Sequence, residues 1–460
     1  MSYDLAVIGA GPGGYVAAIR AAQLGANVTL VERDQLGGVC LNHGCIPTKT
    51  MMATANLLEM VGRAEEFGVI LPDGVRRVDM HRVRERKDEV ISRLRQGITS
   101  LLKGNGIELI SGLASFDGQG RIVVEKTPLE AKQILIATGS TWMELPNLTI
   151  DGEYIVTSDQ ALNWTEVPGR LVIVGGGVIG CEFACLMQAF GAQVTVVEAM
   201  PTILPQMEGT LSRLLARVMK RKGIEIMANT TVEGAAIKED TIELTLSRGQ
   251  NLAADKVLVA VGRRARTQEL NLDAAGVALT EQGFVRVDKG FQTTARNVYA
   301  IGDVIGQPML AHAASAQGIA VVEGIFGNGG GYDAHSVPSP IFTSPEIGAV
   351  GKTAEELRSE GVSFRTGRFS YAAGGKAHCD GEIEGEAIVH ADSHGKILGV
   401  HIIGSNATAL IAEAALAMGK GMTVSDLEQT VHAHPTFSEV LAEAAADVEG
   451  RAIHKMKAMR

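Results

Sequence analysis

Two runs of the chain, residues 5–14 and 171–180, carry the same pattern: an unbroken apolar strand that ends in a spaced set of three glycines and passes into a helix. The glycines are Gly9, Gly11 and Gly14 in the first run and Gly175, Gly177 and Gly180 in the second, so the repeat distance is 166 residues. Each following helix ends near a glycine, Gly25 or Gly191, and gives way to a β-branched strand, VTLVE or VTVVE, that closes on Glu32 or Glu198. The distance from first glycine to glutamate is 23 residues in both copies. Apolar strands without alternation are strands covered on both faces, which predicts two parallel sheets flanked by helices.

Each unit then closes on an apolar strand that leads to ATG at residues 137–139 or to AVG at residues 260–262. From Glu32 to Gly139 is 107 residues, from Glu198 to Gly262 only 64, so the first copy holds 43 extra residues. The insertion contains Cys40, Cys45 and a long helical stretch, about 48–103, with turn residues at 72–74. After the second unit, TARNVYAIGD at residues 294–303 predicts a short strand and a Gly302-Asp303 turn. Beyond the glycine-rich stretch 328–331 the pattern changes to alternating strands at 387–391 and 397–403 and helices at 407–420 and 437–446. The expected fold is therefore α/β, with two Rossmann-like dinucleotide-binding domains and a C-terminal α+β domain. The expected boundaries are 1–145 with 271–335 for the first domain, 146–270 for the second and 336–460 for the third.

A chain of 460 residues exceeds one hydrophobic core, and 46% hydrophobic with 20% charged residues fits several compact domains. The net charge of -10 argues against nucleic acid or an anionic membrane as a general partner. No uninterrupted apolar stretch approaches the roughly eighteen residues of a membrane span, and the N-terminus enters a strand at once, so a cytoplasmic protein is the expectation. Five cysteines are too few and odd in number for a secreted scaffold, which leaves catalysis as the use of any disulfide. No metal site is expected, because the cysteines and histidines show no paired ligand spacing and His432 with His434 has no third partner nearby.

Glycine turn, helix, second strand and terminal acid together form a dinucleotide fingerprint. The glycines let backbone approach a pyrophosphate held at a helix N-terminus, and the acid accepts hydrogen bonds from ribose hydroxyls. Glu198 would repel a 2′-phosphate, which favours NAD over NADP. Cys40 and Cys45 lie in GGVCLNHGCIPTK at a helix start, where a thiolate is stabilised. An i, i+5 pair needs a distorted helix to meet disulfide geometry, and Gly44 and Pro47 supply the means. The plain alternative is a pair of small buried hydrophobes, a role that suits Cys181, Cys185 and Cys379 better. Near the C-terminus, residues 432–439 are rich in proton-transfer groups, and a histidine oriented by a carboxylate such as Glu439 suits deprotonation of a dithiol substrate, although Thr436 with Glu439 also reads as a capping box. Asp303 reads equally as a ligand contact or as a turn and cap residue.

With the paired nucleotide units, the CxxxxC and the C-terminal HxHPTxSE in hand, nearly the whole chain resembles the pyridine nucleotide-disulfide oxidoreductase family. Cys40-Leu41-Asn42 together with residues 432–436 resembles the members that oxidise dihydrolipoamide and not those that reduce glutathione or mercury. The resemblance implies FAD held by Gly9, Gly11, Gly14, Glu32, Lys49, Thr138, Gly139, Gly302 and Asp303. It implies NAD held by Gly175, Gly177, Gly180, Glu198 and Gly262, with Glu182 of the same helix and Lys49 beside the flavin. A Cys40–Cys45 redox disulfide, His434 as base, Glu439 as its holder and a homodimer built on residues 336–460 complete the implied set. The implied partner is a lipoyl-bearing protein of a 2-oxo acid dehydrogenase complex; reduction of another disulfide or a quinone-like acceptor by NADH is the alternative. Departures from the family pattern are Val39, His43, Gln317, Leu410 and the stretch 371–377.

Overall fold

The computed structural model describes residues 2–72, 77–306, 308–327, 329 and 331–456. By its contacts the chain divides into two units, the first made of residues 1–145, 157–166 and 261–332, the second of 146–156, 167–260 and 333–460. The glycine-rich stretch expected to link domains includes residues 328 and 330, which lie outside the described residues.

The first unit is built on five parallel strands in the spatial order Glu108–Ser111, Val28–Glu32, Tyr3–Ile8, Ala131–Ile136, Val298–Ala300. Leu5, Ala6, Val7 and Ile8 are all buried, so both faces of the central strand are covered, as its unbroken apolar run requires. One cover is the helix Pro12–Gln23, which packs against the helix Ala311–Phe326. Their contact is close enough that a Cβ on Gly318 would stand 2.7 Å from the Gly13 carbonyl oxygen. The insertion folds as helices Gly38–His43 and Cys45–Gly62, a 3-10 turn Ala64–Phe67 and the helix Met80–Gly104, which the Asp79 side chain caps. The helical stretch thus begins earlier than residue 48, and its interruption extends well to either side of 72–74; residues 73–76 lie outside the described residues.

The second unit repeats the parallel sheet in the order Glu225–Met227, Gln193–Val197, Arg170–Val174, Lys256–Val259, Ile155–Val156. Leu171 pairs with Val194 as Leu5 pairs with Val28, so the 166-residue repeat holds to the level of strand register. Residues 337 onward form a five-stranded antiparallel sheet, ordered Ser339–Ile341, Ile347–Gly351, Ile397–Ile403, Glu386–Ala391, Arg365–Ser370. Helices Ala407–Gly419 and Glu439–Val448 share one core with Val350, Phe369, Val389, Val400 and Ile402. Two of these strands and both helices follow the sequence pattern; of the rest, Ser339–Ile341 is only three residues long, Ile347–Gly351 holds two glycines, and Arg365–Ser370 and the helix Val424–Gln429 mix polar with apolar residues, so no period marked them. Among the described residues no helix is long and apolar enough to cross a membrane.

Two glycines set how closely the helices lie on that sheet. A Cβ on Gly348 would stand 2.3 Å from the Ala407 carbonyl oxygen, and one on Gly367 would stand 2.1 Å from that of Ala444. Gly367→Ala is expected to destabilise the protein by about 1–3 kcal/mol, as overpacking does. Gly324→Ala, within a helix and with nothing in reach of the new methyl group, is expected to stabilise by up to about 1 kcal/mol. Unfolding midpoints of the two variants measured side by side check the contrast.

Candidate functional site

The two glycine turns have the same construction. Gly9 and Gly175 have φ of +98° and +109°, a conformation that side chains rarely adopt. A Cβ on Gly14 would stand 1.8 Å from the Gly9 oxygen, and one on Gly180 1.9 Å from the Gly175 oxygen. The middle glycines differ in kind. Gly177 has φ -75°, open to any residue, and a Cβ there would meet nothing. At Gly11 the nearest atom would be Gly38 Cα at 4.0 Å. Neither helix start has a side-chain cap. The protein itself needs the first and third glycines, whereas bare space at the middle one over an uncapped helix N-terminus fits a pyrophosphate.

Glu32 and Glu198 are tied to these turns. Glu32 Oε2 accepts from the Ala10 amide (2.7 Å) and Oε1 from the Asp34 amide (2.9 Å); Glu198 accepts from the Gly176 and Met200 amides (2.6 and 2.7 Å). A carboxylate has about four lone-pair sites, so each retains acceptor capacity for ribose hydroxyls. Both turns therefore fit dinucleotides.

Around the first turn, Gly139 and Gly302 each adopt φ +72°. Thr138 donates its hydroxyl to the Arg266 carbonyl oxygen (2.8 Å). Asp303 accepts from Ser140 (2.5 Å), which accepts in turn from Arg263 Nε (2.7 Å), and the residue preceding its helical turn is Ile301, so Asp303 is not a cap. Gln317, flagged as a departure, is buried and accepts from the Gly302 amide (2.8 Å). Sequence reading missed Ser140, Arg263 and this role of Gln317, because their partners are more than a dozen residues away along the chain. Gly262 has φ +130° and belongs to the first unit, with Met143 Sδ 3.2 Å from a Cβ built on it. Glu182, in the second unit, is buried and accepts from the Phe342 amide (2.9 Å).

The cysteines meet because the helix is broken between them. Gly44, with φ -141° and ψ -107°, ends the helix Gly38–His43 and starts the helix Cys45–Gly62, so Cys45 opens a helix N-terminus. A hydrogen bond to the Cys45 sulfur, then burial and the Cys45 charge, push the Cys40 thiol far above its ordinary range, with Lys49 acting against them. Between them, Asn42 is buried, donates to the Leu36 and Gly38 carbonyls (3.1 and 2.9 Å) and accepts from Arg95 (2.7 Å). The loop is thereby fixed on the long helix Met80–Gly104, an anchor that no sequence motif announced.

In the second unit His434 Nδ1 lies 2.9 Å from Glu439 Oε1. The histidine side chain is 75% exposed, so its ring is open to an incoming group. Burial acts to raise the Glu439 carboxyl, but the Thr436 amide, the His434 bond and the charges of His434 and His454 outweigh it and hold the group below the usual range. The capping-box reading is half right: the Thr436 amide donates to Glu439 Oε2 (2.9 Å), whereas the Thr436 hydroxyl donates to the Ala433 carbonyl and caps nothing. The segment is anchored by Phe437, whose ring stacks on the fully buried Tyr371 at 5.6 Å. Leu410 packs against the same core.

Residues 3–318 match the family model described as pyridine nucleotide-disulphide oxidoreductase, and residues 337–445 match the dimerisation domain of that family. The chain is 41% identical over 461 residues to the dihydrolipoyl dehydrogenase of Thermus scotoductus, covering 98% of this chain and 99% of the relative. Among solved structures it is similar to LpdA from Mycobacterium tuberculosis, with TM-score 0.89, 27% identity and coverage of 96% and 98%. It is also similar to the HOCl-induced flavoprotein disulfide reductase RclA from Escherichia coli, with TM-score 0.86, 29% identity and coverage of 96% and 99%.

The glycines separate ligand binding from folding. Gly177→Ala is expected to keep the unfolding midpoint and lose about tenfold or more in NADH affinity, whereas Gly180→Ala, facing a carbonyl at 1.9 Å, loses stability first. Titration of NADH fluorescence beside a thermal melt reads both. In the reduced protein, Cys45→Ala removes the bond and charge that hold the proton on Cys40, so the pH at which Cys40 is alkylated should fall by about one unit or more. Peptide mapping after alkylation across pH measures that shift, and an unmoved profile would remove the thiol pair from the account.

Proposed function

The chain belongs to the pyridine nucleotide-disulphide oxidoreductase family, and on that premise we propose that it oxidises dihydrolipoyl groups and reduces NAD, through FAD and a Cys40–Cys45 disulfide. Full-length likeness to a curated relative of that activity carries the reading. The thiol pair at a helix start and the two bare glycine turns supply the chemistry it needs.

FAD is held by the first glycine turn with Glu32, Lys49, Thr138, Gly139, Gly302 and Asp303, and NAD by the second with Glu182, Glu198 and Gly262. When bound, FAD supplies a two-electron acceptor between the thiols and the nicotinamide. One substrate thiolate attacks the Cys40 sulfur; a substrate–Cys40 bond forms as the Cys40–Cys45 bond breaks, and Cys45 leaves as a thiolate. The second substrate thiolate then displaces Cys40, closing the cyclic disulfide of the product. His434 serves as the base for both substrate thiols. Its Nδ1–H donates to Glu439 (2.9 Å), which leaves the Nε2 lone pair to take the proton. The reduced pair then holds one proton and one charge, Cys40 as thiol and Cys45 as thiolate at the helix N-terminus. The raised Cys40 supports this division.

The chain carries the dimerisation domain of the family, which supports a homodimer. In that dimer His434 of one copy serves the disulfide of the other. The lipoyl group comes from a carrier protein of a 2-oxo acid dehydrogenase complex, and the enzyme works in the cytoplasm.

The test is NAD reduction by free dihydrolipoamide, with the native protein beside Cys45→Ser and His434→Gln. Native turnover is expected, with each variant lower by about two or more orders of magnitude. A flavin that NADH reduces, combined with no dihydrolipoamide oxidation, would move the function to another disulfide or quinone-like acceptor.

A further inference from the structure

Strands Glu386–Ala391 and Ile397–Ile403 turn Ala387, Val389, Val400 and Ile402 toward the helices of the C-terminal sheet. The opposite face carries Ile388 and Ile403, and among them two histidines, His390 and His401, each 1% exposed. Glu208, also buried, comes from the second nucleotide-binding region, where it directly precedes the helix Gly209–Arg221. Its Oε2 lies 3.4 Å from His390 Nε2 and accepts from the Ala354 amide (2.9 Å). One ligand atom from each of the three residues falls within 4.8 Å of the others.

Each imidazole also makes one hydrogen bond that points outward from this cluster. His401 donates Nε2–H to the Lys352 carbonyl (3.0 Å), and His390 Nδ1 meets the Thr366 hydroxyl (2.9 Å). That leaves His401 Nδ1 buried with no partner among the described residues, an arrangement that is costly unless something takes its lone pair. Metal-bound histidines are held in this way, with the far nitrogen on a carbonyl or hydroxyl and the near one facing the ion.

We propose that Glu208, His390 and His401 bind one zinc-type divalent cation that ties the helix Gly209–Arg221 to the C-terminal sheet. Two nitrogens and one carboxylate oxygen suit zinc, whose bond lengths of about 2.0–2.2 Å set ligand atoms about 3.3 Å apart in a tetrahedron. A closure of up to about 1.5 Å from the present spacing reaches that geometry and leaves one position for water. No local motif marks such a site: the ligands span 193 residues and only the fold brings them together.

The experiment uses the FAD-loaded protein with its cysteine pair oxidised, so that those sulfurs do not compete. After incubation with zinc chloride and removal of loose metal by chelator and gel filtration, native protein should retain about one zinc per chain and melt at a higher temperature. His401→Gln and Glu208→Gln should retain none. Native protein without bound zinc, or variants that hold as much as native, would overturn the proposal. Should the variants fail to fold, cobalt chloride added to native protein decides: a tetrahedral cobalt band without thiolate charge transfer supports the site. No band, or one with thiolate charge transfer, overturns it.

Discussion

A hydrogen bond from a backbone amide in the glycine turn to the carboxylate that ends the second strand is the constraint on which both nucleotide-binding regions rest. Ala10 makes it to Glu32 and Gly176 to Glu198, at 2.7 and 2.6 Å. The bond fixes the turn against the neighbouring strand, and the third glycine of each set removes the one methyl group that would hold the helix off the turn. What remains, among the described residues, is a helix N-terminus with no side-chain cap and an anchored acid beside it. The shape of each turn therefore follows from two contacts the protein makes with itself, and the middle glycine leaves room over the helix start.

The redox segment depends on a different device. A continuous helix would carry Cys40 and Cys45 to different faces, and the break at Gly44 turns their sulfurs together at a fresh N-terminus. Positioning such a segment requires rigidity, because a thiol pair that shares one proton responds to small changes in distance. Asn42 and Arg95 provide it by fastening the loop to the long helix. In the C-terminal sheet the same need is met by packing: Tyr371 stands against Phe437 and holds the segment that presents His434 and Glu439. The stretch 371–377, which departs from the family pattern, thus supports the segment that carries His434 at the level of core packing.

Much of this was legible in the chain itself. The two sheets, their glycine turns, the acids at Glu32 and Glu198 and the 43-residue insertion all follow from local signals, because a strand covered on both faces and a glycine that must adopt positive φ leave marks within a few residues. The same holds for the break between the cysteines, announced by Gly44. Other features depend on partners far along the chain and leave no periodic mark. Gln317 supports Gly302, Arg263 reaches Asp303 through Ser140, and Arg95 holds Asn42. Three strands of the C-terminal sheet went unread because strands that are very short, glycine-containing or mostly polar take their identity from their neighbours.

The sequence by itself determined the nucleotide-binding architecture, the cysteine pair and the histidine with its carboxylate, since each is a contiguous pattern whose chemistry is carried by neighbouring residues. Only the tertiary structure decided the charge state of Cys40, the wiring of Asn42 and Asp303, and the meeting of Glu208 with His390 and His401. The reason is physical: burial, the approach of a second charge and a shared hydrogen bond are properties of a packed interior, and no local stretch of chain contains them.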